Sequence, residues 1–259
     1  MSTVQITTDA RGVATLTLAR AEKHNALSAQ MMDDITQAAR DLGADDAVRV
    51  VVLAATGASF CAGGDLNWMR DQIDAAPDQR VAEARRLARM LQTLNTLPKP
   101  LIGRVQGNAF GGGVGLCCVC DVVVGAQGAK FGLTETRLGL SPATIGPYVI
   151  ARMGEARARQ VFMSSRVFGA NEAVRLGILS YVASPDNLDA CVEDEVVPYL
   201  ACAPGAVAEA KALARSLGTP INDDVIDASM AALRHRWDSD EAREGVAAFF
   251  DKRPAAWSV

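Results

Sequence analysis

Residues 108 to 116 read NAFGGGVGL, three consecutive glycines and a fourth two positions on, set between the apolar runs LIGRV and CCVC. Glycine weakens a regular helix or strand, so three together in a hydrophobic stretch mark backbone that must approach something closely or adopt dihedrals closed to other residues. A second glycine turn, ASFCAGGDLNWM, places Gly63, Gly64 and Asp65 after the run VVVLAATG. Both turns follow strand-like runs and lead into helix-like ones, an order that points to α/β architecture.

The rest of the chain fits that order. VQITTD and VATLTLA alternate apolar and β-branched residues with polar ones and are read as two antiparallel strands. From Ser28 to Leu42 a helical face carries Met31, Ile35, Ala38 and Leu42, with Ser28 as N-cap. VRVVVLAA is a buried strand, residues 80–97 a helix, and PLIGRVQG another strand. Past Pro204, ALARSLG, ASMAALRHRW and EAREGVAAFFDKR are helix-forming with no strand between them. Asp238 and Glu241 have the spacing of a capping box for the last helix.

Composition narrows the function. A chain of 259 residues with net charge −4 lacks the basic excess that phosphate neutralisation needs, so nucleic acid is not expected as a partner. MSTVQITTDARG has no charged and apolar leader pattern, and no unbroken 18-residue apolar run occurs, so a cytoplasmic protein without membrane association is expected. Cys117 and Cys120 satisfy C-x-x-C, yet no second pair follows at zinc-ribbon spacing. With Cys118 they are read as small buried hydrophobes, and no metal site is expected. Two histidines and no G-x-S-x-G elbow weaken a Ser-His-Asp hydrolase.

The first turn of a helix presents unpaired N–H groups and a dipole that favours negative charge. Two glycine turns can therefore supply two N–H donors to one oxygen, an oxyanion hole for an enolate or tetrahedral intermediate. Close helix–strand contact or a phosphate cradle would use the same glycines. Neither G-x-G-x-x-G nor G-x-x-x-x-G-K-[ST] is present in this segment.

SFCAGGDL, NAFGGGVGL, CDVVVGAQGAKFGLTETRLGL, ANEAVRLGIL and the ending EAREGVAAFFDKR, with EKHNALS near the start, resemble the enoyl-CoA hydratase/isomerase (crotonase) superfamily in the same order over nearly the whole chain. The resemblance implies an α/β crotonase-type spiral of strand-strand-helix units over 1–200. A helical C-terminal region over 201–259 would build trimers, commonly paired into hexamers. It also implies an acyl-CoA thioester as substrate, with coenzyme A part of that substrate and no separate cofactor. On this basis the backbone N–H groups of Gly64 and Gly112 are the oxyanion donors. Lys23, His24, Ala62, Asp65 and Leu66 line the CoA end, and Phe249 and Lys252 match C-terminal positions that reach towards CoA, in many members from a neighbouring subunit. Read without the family, Lys23 and His24 are ordinary exposed loop residues.

The chain departs from the common hydratase first in its acid–base residues. Of the family's two glutamates, twenty positions apart, the later is Glu135 and the earlier falls on Gly115. Glu135 is the expected general base and acid. Asp71, Asp74 and Asp78 follow the first glycine turn and are either reserve acids or solvated surface groups. CAGGDLNWMR, AFGGGVGL and ETRLGLSPATIGPYVIARMG further resemble a branch of methylglutaconyl-CoA hydratases of leucine breakdown. Pro142, Ala143, Thr144, Ile145 and Gly146 stand where most members have P-G-A-G-G, so a different acyl pocket is expected. Arg137 and Arg70 are cations that could meet a distal carboxylate or pair with surface acids. The expected activity is hydration of a 2-enoyl-CoA of the branched 3-methylglutaconyl type. Double-bond isomerisation by Glu135 alone and a non-catalytic CoA-binding homologue are the alternatives.

Overall fold

A computed structural model describes residues 2–258, with the side chains of all but Ile73 and Asp74. The strands are β1 (Val4–Thr8), β2 (Val13–Leu18), β3 (Val50–Ala55), β4 (Ser59–Cys61), β5 (Leu101–Val105), β6 (Asn108–Phe110), β7 (Val122–Ala126), β8 (Lys130–Gly132), β9 (Phe168–Gly169) and β10 (Tyr181–Ala183). They form two mixed sheets, ordered β1-β2-β3-β5-β7-β10 and β4-β6-β8-β9. β1 and β2 pair antiparallel, as their alternation predicts, with Ile6 opposite Leu16. β2, β3, β5, β7 and β10 run parallel, and every residue of β3 is buried, which suits the unbroken apolar run VVVLAA.

The helices are α1 (Ala29–Ala44), α2 (Leu66–Asp74), α3 (Pro77–Asn95), α4 (Gly112–Val119), α5 (Gly146–Met153), α6 (Glu155–Phe162), α7 (Ala170–Leu176), α8 (Leu188–Leu200), α9 (Pro204–Leu217), α10 (Asp223–Trp237) and α11 (Asp240–Phe250). Ser28 caps α1 by accepting from the Met31 N–H, and Met31, Ile35, Ala38 and Leu42 are buried as the periodicity predicts. The helix expected over 80–97 begins earlier, because Pro77 occupies the first helical position, where a missing N–H costs nothing. α4 is buried at every residue, so it is apolar all round, and Cys117 and Cys118 lie within it as free buried thiols. Burial pushes the thiols of Cys61, Cys118 and Cys120 up to about 12.

Two sequence expectations are corrected. Each glycine turn follows a second short strand, β4 or β6, where the residues alone suggest only a turn. The chain thus repeats strand, strand, helix, with the long strand in the large sheet and the short one in the small sheet. The last helix is capped by Ser239, whose hydroxyl accepts from the Ala242 N–H; Asp238 is the C-cap of α10, and Glu241 pairs with Arg236. Beyond Pro204 the described residues form helices only. α10 lays Ile226 and Met230 on Ala84 and Ala88 of α3, which brings the C-terminal helices back over the core. Among the described residues no helix is long and apolar enough to cross a membrane.

Candidate active site

The turn after β4 is pinned to the chain before α1. The Leu27 N–H donates to Gly63 O at 2.7 Å and the Asp65 N–H donates to Leu27 O at 3.0 Å, so Leu27 and Gly64 form a parallel bridge. That pairing leaves the Gly64 N–H without an acceptor among the described residues. Asp65 is 7% exposed; its Oδ1 accepts from the N–H groups of Asn67 and Trp68 and its Oδ2 from Arg20 at 2.9 Å. Burial works against its ionisation, but Arg20 and the helix N–H groups outweigh it and hold the carboxyl below its ordinary range. Asp65 thus fixes the start of α2, with its side chain committed inside the protein.

The three glycines after β6 have three separate causes. Gly111 sits at φ 48°, and a Cβ there would lie 3.0 Å from Glu135 Oε1. At Gly112 a Cβ would lie 2.7 Å from Leu27 Cδ1, and at Gly113 2.4 Å from the backbone oxygen of Cys61. Gly112 opens α4, so its N–H is one that the helix leaves unpaired, and it has no acceptor among the described residues. The two turns touch: a Cβ on Gly63 would lie 3.1 Å from Phe110 O.

Glu135 opens a 3-10 turn, Glu135–Leu138, closed by Gly139 in the left-handed region at φ 69°. Its Oε2 is buried without a hydrogen-bond partner, and burial raises its carboxyl from 4.5 to about 7. The turn is gripped on both sides. Thr136 Oγ1 lies 2.5 Å from the hydroxyl of Ser165, which is 1% exposed and held at φ 49°. From α10, Arg236 donates to Gly139 O through Nε at 2.9 Å and Nη2 at 2.8 Å. From α11, a Cβ on Gly245 would strike Leu138 C at 2.5 Å, so that helix meets the turn backbone to backbone.

Glu135 and both turns line one cavity of about 510 Å³, a size that suits a small-molecule group. Ala62, Leu66 and Phe249 are on its wall, as is Arg137, which has no ion-pair partner among the described residues. Glu135 is the only carboxylate among the described lining residues. Lys23, His24 and Lys252 are not on that wall. His24 is in the left-handed region with its ring nitrogen 3.1 Å from Ser59 Oγ, and Lys252 is left-handed and exposed beyond α11. Asp71 and Asp78 are exposed and off the cavity, and the side chain of Asp74 lies outside the described ones. Arg70 stacks over the Phe250 ring at 4.6 Å rather than lining the cavity.

Three contributors escape sequence reasoning. Leu233 and Trp237 of α10 close over the cavity, one turn apart in ALRHRW, a spacing that says only that they share a helix face. Asn25 is fully buried and ties the loop before α1 to β4, donating to the carbonyls of Thr56 and Ser59 at 2.8 and 2.9 Å.

Gly115 has no room for a carboxylate. A Cβ there would lie 2.7 Å from Cγ2 of Ile145, which fills the space and itself lines the cavity. The wall beside Gly115 is therefore hydrocarbon. Two N–H donors and one dry carboxylate in a shared cavity can hold a thioester oxygen and move a proton beside it.

The family model for enoyl-CoA hydratase/isomerase matches residues 8–259. The chain is 32% identical over 246 residues to the 1,2-epoxyphenylacetyl-CoA isomerase of Escherichia coli K12, covering 94% of each. It is 36% identical to an enoyl-CoA hydratase from Shewanella pealeana of known structure, with a TM-score of 0.81 over 98% of this chain and 96% of that one. An enoyl-CoA hydratase from Mycobacterium avium superposes over the full length of both chains with a TM-score of 0.86 at 31% identity. The two mixed sheets and C-terminal helices are thus the crotonase fold, and the chain is an enzyme that belongs to the enoyl-CoA hydratase/isomerase family.

Proposed function

We propose that the chain adds water across the 2,3 double bond of a 2-enoyl-CoA, with Glu135 as the only carboxylate that moves protons. The observation that carries this reading is the buried Glu135 carboxyl, its Oε2 without a hydrogen-bond partner and its titration raised to about 7 by burial, in the cavity that the two glycine turns also line. A carboxyl near neutrality can both accept and return a proton, which typically contributes about 10² to 10⁴ in rate. Ionised Glu135 takes one proton of a water as its oxygen bonds to C3. The double-bond electrons move through C2 and C1 to the thioester oxygen, whose charge the N–H groups of Gly64 and Gly112 hold. Protonated Glu135 then delivers the proton to C2, and the carbonyl re-forms.

The acyl group in this reading is branched, of the 3-methylglutaconyl type. Its support is the motif wording together with Arg137, an unpaired cation on the cavity wall that suits a distal carboxylate. The coenzyme A portion runs past Ala62 and Leu66 towards the loop of Lys23 and His24, with Phe249 and Lys252 at the C-terminal end. The second reading, double-bond isomerisation by Glu135 alone, is favoured by Ile145, which leaves no second acid to hold water. Residues 201–259 are proposed to assemble the chain into a trimer or a pair of trimers. α9 has no buried residue and leaves Leu213 and Leu217 60% and 80% exposed.

Crotonyl-CoA and 3-methylglutaconyl-CoA, followed by loss of enoyl absorbance with product mass, separate the readings. A product heavier by one water, formed faster from the methylglutaconyl substrate, is the expected result. No gain in mass, with double-bond migration on a 3-enoyl-CoA, would establish the isomerase instead.

A further inference from the structure

Resting on the hydratase reading, we infer that the Thr144 hydroxyl is the second partner of the water that Glu135 activates, standing in for the carboxylate that Gly115 cannot carry. A water attacking C3 through a lone pair has two O–H bonds to place. One goes to Glu135, and beside the hydrocarbon of Ile145 the other is left unpaired unless the wall supplies an acceptor. Ile145 supplies none. Its neighbour Thr144 lines the same cavity, is 7% exposed, and its hydroxyl has no hydrogen-bond partner among the described residues.

A hydroxyl on a cavity wall that no protein group engages is free to bond what enters the cavity. Of the other hydroxyls, Thr136 is bound to Ser165 and to Met163 O, whereas Thr134 and Ser141 line the cavity without a partner among the described residues but are less buried and do not adjoin Ile145 in the chain. Thr144 also lies in the Pro142–Gly146 segment, where the chain departs from its family's glycine-rich pattern, next to the residue that fills the missing carboxylate's space. In the step it acts by accepting the water's second O–H. It gains and loses no proton; the proton taken by Glu135 is the one returned to C2.

Two rates measured side by side test this. The first is hydration of a 2-enoyl-CoA. The second is exchange of the α-hydrogen of butyryl-CoA with solvent deuterium, which uses Glu135 and the N–H donors but adds no water. Thr144→Val keeps the shape and removes the hydroxyl; it should lower hydration kcat roughly five- to tenfold, the loss of one hydrogen bond, with KM and exchange within twofold of wild type. Thr144→Ser should recover most of the hydration rate. The melting temperature of Thr144→Val should equal or exceed that of the wild type, because no protein partner is left behind.

Hydration unchanged in Thr144→Val, hydration and exchange falling together, or Thr144→Ser as slow as Thr144→Val would each overturn the inference. A wild-type enzyme that exchanges but hydrates no enoyl-CoA would overturn the hydratase reading itself, and the inference with it. Only in that case does the failure show before any variant is made.

Discussion

Replacing Glu135 with Gln should make the folded protein more stable at alkaline pH while sharply slowing turnover. The carboxyl titrates at 4.5 when free and at about 7 when folded, because burial disfavours its ionised form. Between those values the folded chain holds a proton that the unfolded chain has released, so stability falls as pH rises. The favourable contribution is fully present below pH 4.5 and gone above about 7. Each pH unit in that window corresponds to about 1.4 kcal/mol, which gives ~3 kcal/mol in all. Glutamine does not titrate, so the gap between variant and wild type should open by ~2 to 3 kcal/mol from pH 5 to pH 8. For a chain of this size that is roughly 5 to 10 °C in melting temperature. Thermal melts of both proteins across that range read it directly. A gap that does not change with pH, or a variant less stable at pH 8, would refute the argument that burial sets this carboxyl.

The same titration predicts that kcat/KM rises with pH to a plateau with a midpoint near pH 7, read in steady-state assays from pH 5 to pH 9. Gly115→Ala should cost ~1 to 3 kcal/mol in chemical denaturation, since its Cβ would sit 2.7 Å from Ile145 Cγ2. Combined with Ile145→Ala, the two costs should fall short of additivity by more than about 0.5 kcal/mol. Arg236→Met removes two charge-assisted bonds to Gly139 O and should lower stability by ~1 to 3 kcal/mol. It should also reduce kcat more than it raises KM, with partial recovery in Arg236→Lys.

What could be seen in the sequence was what local chemistry decides. The alternation of VQITTD and VATLTLA gave the β1–β2 pairing, and Ser28 with its apolar face gave α1. The glycine turns were visible because few backbones need three residues without side chains, but their separate causes were not. Leu27, Cys61 and Glu135 are what the missing Cβ atoms would strike, and all three come from distant parts of the chain. β4 and β6 escaped because three residues are too few to show a period. Ser239 rather than Asp238 caps α11 because the chain leaves α10 one residue later than the spacing suggested. Leu233, Trp237 and Arg236 reach the site only because α10 packs on α3, a tertiary contact that no local pattern encodes. Gly115 was readable as a missing acid, whereas its cause, the bulk of Ile145 thirty positions later, was not.

In the proposed reaction one carboxylate does the proton chemistry alone. The most direct test is the rate at which wild type and Glu135→Gln add water to 3-methylglutaconyl-CoA at pH 8, with substrate saturating and product identified by mass. A fall of about 10² to 10⁴ in kcat, with the variant still folded and still binding CoA ester, is the predicted result. Turnover within tenfold of wild type would show that another group carries the proton and that Glu135 is not the centre of this site.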